Sequence, residues 1–124
     1  MSVLRTAPVI TAGTILNNAT FTSAEQDTVG DNNSEGKGFI YLTYTGTAAA
    51  GKIDVTIAMG PTSGGESTTR LVLLNSFTPI SGTETNILMG GQYFDRYWLL
   101  IIKNNAIGAS LTSVSATFSF YKLF

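Results

Sequence analysis

Apolar residues recur at every second position along much of this chain, and this period of two constrains the fold more than any motif. The clearest run lies near the end of the chain, where Ser and Thr alternate with Val114, Ala116, Phe118 and Phe120. Successive side chains of a β-strand point to opposite faces, so the pattern predicts strands that bury one face. No segment shows a convincing period of an amphipathic helix.

About eight such segments are separated by turn signals at roughly 8–12-residue spacing, which is typical of all-β proteins. We predict a single antiparallel β-sandwich, jelly-roll-like, with an N-terminal extended arm. A chain of 124 residues fits one domain. Residues 19–124 are expected to form the sandwich, and residues 1–18 an arm or a first strand. The pair Gly90-Gly91 is predicted to form a turn.

The first segment combines Pro8 and Gly13 with aliphatic residues, which makes a fully solvated tail unfavourable. We expect it to act as an arm that pairs with the exposed sheet edge of a partner. The predicted partner-binding residues are Val3, Leu4, Val9 and Ile10.

Charged residues make up only 12% of the chain, about half of the usual share. A neutral polar surface loses little when subunits meet, because few ions must be desolvated, and this favours assembly. The seven basic residues are scattered and the net charge is −1, so we expect neither nucleic acid nor a membrane surface as a partner. No run reaches the roughly 20 apolar residues of a membrane span.

The chain contains no His and no Cys, which removes the usual general base, thiol nucleophile and soft metal ligands. Nothing marks a catalytic pair among its carboxylates, for which the candidates are Asp54, Glu66, Glu84 and Asp95. The segment from Asp31 to Gly36 imitates the start of a calcium loop, but Leu42 stands where the final Glu is needed. We therefore expect no enzyme activity, no cofactor and no metal site.

Aromatic residues cluster between residues 93 and 98, and this cluster has two interpretations. An exposed platform of Tyr93, Tyr97 and Trp98 could stack on sugar rings, whereas a buried cluster would supply core packing. The adjoining run from Tyr97 to Ile102 is apolar at every position. Such a strand is either central in its sheet or meets another subunit on one face.

Two segments carry a resemblance to a known class of proteins. Residues 96–105, RYWLLIIKNN, followed by the alternating residues 111–118, LTSVSATF, resemble the closing hairpin of small β-sandwich proteins in tailed-phage virions. The Asn-, Thr- and Gly-rich composition is similar to that of capsid decoration, or cement, proteins. The resemblance covers about a third of the chain.

This resemblance implies a non-enzymatic protein that binds the major capsid protein and stabilises the shell. It further implies a homo-oligomer, often a trimer, on the outer surface of the virion and made in the host cytoplasm. The alternative function is a carbohydrate-binding or host-attachment module that uses the aromatic platform.

Overall fold

The computed structural model describes residues 2–27, 36–46, 51–60, 62, 70–79, 85–94, 97–105 and 110–122. These residues form strands and connections and contain no helix. The strands are β1 (Ser2–Ile15), β2 (Thr20–Thr22), β3 (Gln26–Asp27), β4 (Gly36–Gly46), β5 (Ile53–Gly60), β6 (Arg70–Phe77), β7 (Thr85–Gln92), β8 (Tyr97–Asn104) and β9 (Leu111–Lys122).

The strands form two antiparallel sheets that enclose one core. The first sheet has the order β1-β9-β4-β7, and the second has the order β2-β8-β5-β6. Strand β3 also pairs with β8, on the same edge as β2, so the two short strands act as one interrupted edge strand. Each sheet therefore has four strand positions, connected as in the two Greek keys of a jelly roll. The predicted antiparallel sandwich is confirmed.

Ser23 bridges the interruption between β2 and β3. Its backbone N–H donates to the carbonyl of Leu100 at 2.8 Å, and its Oγ accepts from the N–H of Leu100 at 2.9 Å. The hydroxyl in turn donates to the carbonyl of Ala24 at 2.9 Å. The side chain thus replaces a backbone acceptor in the ladder, and β8 keeps its hydrogen bonds past the irregularity.

The core lies between the sheets and is formed by alternate residues of the long strands. The first sheet contributes Ile10, Ile15, Ile40, Leu42, Tyr44, Met89, Leu111, Val114, Ala116 and Phe118. The second contributes Ile53, Val55, Ile57, Met59, Trp98, Leu100 and Ile102. The alternation predicted for β9 is therefore the pattern that the fold buries, and β5 alternates in the same way.

An aromatic cluster joins the two sheets at one end of the core. Trp98 of β8 and Phe118 of β9 lie with their ring centroids 4.7 Å apart, and Phe94 lies 5.3 Å from each of them. Gly38 of β4 lies beneath the rings, since a Cβ there would be 2.7 Å from Phe94 Cδ1 and 2.8 Å from Phe118 Cε1. The cluster fits only because this position has no side chain.

Two local predictions were wrong. Gly90 and Gly91 do not form a turn but lie inside β7, with φ values of +113° and +96° at a shift in the pairing with β4. A Cβ at Gly90 would be 2.6 Å from the carbonyl oxygen of Gly38, so glycine serves close strand approach here. Strands β8 and β9 do not form a hairpin either. They lie in opposite sheets, where their apolar faces meet across the core.

Candidate functional site

The outer faces of the two sheets differ in chemistry. Along the first sheet, the central strand β9 directs hydroxyl side chains outward, at Ser115, Thr117 and Ser119, each half-buried. The described residues of this sheet also expose one apolar pair, Tyr41 and Leu88. The second sheet directs leucine and isoleucine outward from two of its strands, in adjacent rows. Apolar side chains on the outer side of a sheet do not pack into the core of their own chain. This face is therefore the strongest candidate for an interaction surface.

The strand register defines this surface. Ala58 of β5 pairs with Leu99 of β8 on one side and with Leu71 of β6 on the other. The next outward row joins Ile101, Thr56 and Leu73 in the same way. Directly opposed residues share one face of a sheet. We name these six residues the apolar face: Thr56, Ala58, Leu71, Leu73, Leu99 and Ile101.

Exposure across the apolar face is highest on its edge strand. Leu71 and Leu73 of β6 are 62% and 58% exposed. Leu99 and Ile101 of β8 are half-buried, as is Thr56 of β5. Ala58 lies in the same outward row as Leu71 and Leu99 yet has no exposed surface. The leucine and isoleucine side chains of this face are therefore accessible to a partner, and Ala58 is not.

A polar rim borders the apolar face at one end. In the row beyond Thr56, Asp54 pairs with Lys103 of β8 and with Ser76 of β6. The Asp54 carboxylate accepts a hydrogen bond from Ser76 Oγ at 2.6 Å and another from Asn105 Nδ2 at 3.0 Å. An apolar centre with a hydrogen-bonded polar margin is the usual anatomy of a protein interface.

The sequence predicted half of this surface. The continuous apolar run of β8 indicated a strand that is central or meets a subunit, and β8 is central in the second sheet with its outer residues only half-buried. The contribution of β6 was missed. Its signal was Leu71 and Leu73 flanking Val72 in a strand that turns out to lie at a sheet edge. Val72 and Leu74 of this strand pack against the core, while Leu71 and Leu73 lie on its outward face.

The structure does not bring the three proposed sugar-binding residues together. Trp98 has no exposed surface and packs against Phe94 and Phe118, so its ring cannot stack on a ligand. Tyr97 is half-buried and follows the opposite face of β8, whereas Tyr93 is 48% exposed in the connection before it. The core interpretation of the aromatic cluster holds for Trp98.

The N-terminal segment is the first strand of the first sheet. Strand β1 pairs with β9 of the same chain from Ser2 to Ile15, with four shifts of register along the way. Bulges of this kind twist an edge strand and disfavour pairing with other chains. Of the four predicted arm residues, Ile10 is 8% exposed and belongs to the core. Val3, Leu4 and Val9 lie within the paired strand.

One open groove of about 360 Å³ lies at the junction of β1 with β2 and β3. The residues that line it are Ile10, Thr11, Phe21, Thr22, Ser23, Ala24 and Gln26. These supply hydroxyl and amide groups and one aromatic ring, but no carboxylate or amine. The groove therefore offers polar contacts rather than a general acid or base.

The other candidates from the sequence have different outcomes. Asp54 lies in the polar rim, while Glu66, Glu84, Asp95 and the calcium-like segment 31–35 lie outside the described residues. Within the described part of the chain, no group of three or more acidic residues is placed to hold a metal ion. Those residues also include no helix that is long and apolar enough to cross a membrane.

Comparison with known proteins gives similarity of fold without similarity of sequence. No protein-family model and no curated protein sequence matches the chain. A structure of infectious bursal disease virus, Gx strain, aligns over 97% of this chain and 37% of the viral chain, with a TM-score of 0.51 and 11% identity. The crystal structure of FLHE aligns over 92% of both chains with a TM-score of 0.44 and 12% identity.

Proposed function

We propose that this protein is a non-enzymatic structural component of a virion, which binds the capsid as a decoration or cement protein. In this role it attaches to the outer surface of the shell through the major capsid protein and stabilises it by added contacts. Many weak contacts on a symmetric lattice hold firmly, because each copy raises the effective concentration of the next.

The observation that carries this proposal is the apolar face. Leu71 and Leu73 are more than half exposed in a sheet whose other side is fully packed. A monomer with no partner has no use for such a surface, and it raises the risk of aggregation. A protein that functions in contact with neighbouring subunits covers its apolar face.

Two further observations support the proposal. The chain aligns over nearly its whole length with part of a chain in a virus structure, at a sequence identity that speaks to the fold alone. Its low charge also reduces the desolvation cost of contacts between subunits. The tailed-phage class and assembly as a homo-oligomer belong to this proposal, although β8 and β9 do not form the hairpin that the sequence resemblance implied.

The test is quantitative mass spectrometry of virus particles purified from the source of the gene. We expect this chain in a fixed ratio to the major capsid protein, and we expect particles made without it to release their genome at a lower temperature. Its absence from purified particles would overturn the proposal. A few copies per particle would instead indicate a tail or attachment role.

A further inference from the structure

We propose that a second copy of this chain packs on the apolar face, related by a two-fold axis that runs parallel to the strands between β5 and β8. The inference rests on the proposed assembly role and deepens it by naming the partner and the surface. Sheets that pack face to face keep their strands nearly aligned, which this axis allows. The contact is isologous, so the same surface serves both copies.

The rows of the face match one another under this axis. The axis exchanges β5 and β8 between the copies and leaves the rows of the ladder in register. Ile101 of one copy therefore lies opposite Thr56 of the other, and Leu99 lies opposite Ala58, twice. Each row thus sets a larger side chain against a smaller one, which favours close packing.

The charges of the rim are complementary under the same axis. Asp54 and Lys103 are direct partners across β5 and β8, so the exchange of these strands places each one opposite its counterpart in the second copy. Asp54 keeps two hydrogen bonds from its own chain and still has lone pairs to accept from an ammonium group. An axis perpendicular to the strands would leave both charges facing the other end of the sheet.

The size of the second sheet, including the apolar face and its polar rim, suits a weak dimer. Strands of eight residues at about 3.3 Å per residue, in four positions about 4.8 Å apart, cover roughly 500 Å² of flat area. Stable interfaces bury about 600–1,000 Å² of accessible surface per partner, and a face with projecting side chains has more accessible than flat area. The whole outer surface of the second sheet is therefore needed, and we expect a dissociation constant in the micromolar range.

The experiment is size-exclusion chromatography with light scattering on the full chain at about 100 µM, well above that constant. Wild type is expected at twice the 13.1 kDa of one chain. The double variant Leu71→Lys/Leu73→Lys should shift markedly toward the monomer mass, with the dissociation constant from a dilution series raised at least about 100-fold. The matched control is Leu88→Lys, because Leu88 is also 62% exposed but lies on the first sheet, and it should remain a dimer.

A charge reversal gives a second test that does not alter the apolar residues. In the same dilution series, Lys103→Glu should raise the dissociation constant about tenfold, and the double variant Asp54→Lys/Lys103→Glu should restore it. Circular dichroism of each variant confirms that the sandwich is folded. A monomeric wild type, a trimer insensitive to the Lys103 change, or a control that dissociates as readily as the double leucine variant would overturn the inference.

The two proposals fail separately. A monomeric chain that is nevertheless abundant on purified virions would overturn the dimer and leave the capsid role standing. A dimer that responds to these variants but is absent from virions would overturn the capsid role and leave the dimer standing.

Discussion

Replacing Gly38 with alanine should destabilise the protein, because the aromatic cluster leaves no room for a methyl group. The new Cβ would lie 2.7 Å from Phe94 Cδ1 and 2.8 Å from Phe118 Cε1, whereas ordinary contacts begin at 3.4 Å. Both rings would have to move by about 0.7 Å, yet each is held by Trp98 and by the other. The strain cannot be relieved by rotation of a flexible side chain.

The magnitude follows from two opposing effects. Overpacking of a core costs about 1–3 kcal/mol. Replacing glycine also lowers the conformational entropy of the unfolded chain, which stabilises the folded state by about 0.4–1 kcal/mol. The free energy of unfolding should therefore fall by about 1–2 kcal/mol, and Tm by about 4–8 °C for a domain of this size.

Thermal unfolding measures this effect, followed by circular dichroism and by the fluorescence of Trp98, the chain's single tryptophan. Gly46→Ala is the control in the same strand, because the atoms nearest to its Cβ would be side-chain atoms of Leu111 and Tyr44, at 3.1 Å and beyond. It should lower the free energy of unfolding by less than Gly38→Ala does. Adding Phe94→Leu should relieve Gly38→Ala, with a coupling of at least about 0.5 kcal/mol. Equal shifts for the two glycine variants, or additivity with Phe94→Leu, would refute the argument.

Three further predictions concern single residues. Ser23→Ala leaves the N–H of Leu100 without its acceptor, so the free energy of unfolding should fall by about 1–3 kcal/mol. Chemical denaturation measures this change. An unchanged denaturation midpoint would mean that water replaces the hydroxyl. Ser113 has a φ of +51°, which favours glycine and disfavours a β-branched residue. Ser113→Gly should therefore stabilise the protein by up to about 1 kcal/mol, and Ser113→Val should destabilise it. A reversed order of the two Tm values would contradict this prediction. Trp98 should emit at short wavelength, resist quenching by acrylamide and ignore added sugars, and a sugar-dependent signal would revive the carbohydrate-binding alternative.

The sequence predicted those parts of the fold in which one strand face is buried. Strands β5 and β9 alternate cleanly, and their apolar residues are the ones that the sheets enclose. Strand β7 was not predicted, because Gly90 and Gly91 are typical of turns. Their role depends on the close approach of β4, which is a long-range contact that no local pattern encodes.

The candidate surface was only partly predictable for a related reason. A strand that is apolar on both faces is visible in the sequence, as in Leu99 and Ile101 of β8. Which of its faces is covered, and whether Leu71 and Leu73 lie beside it, depends on the order of strands in the sheet. The pairing of β1 with the chain's own β9 likewise shows that residues 2–15 form a first strand and not a free arm. The period of apolar residues in the sequence cannot distinguish these two possibilities.

Electron cryomicroscopy of the purified virus particle tests the central claim most directly. We expect density for this jelly roll on the outside of the shell, in a fixed ratio to the shell subunit, with Leu71 and Leu73 covered by another protein surface. A shell without that density, or density in which both leucines face solvent, would contradict the account.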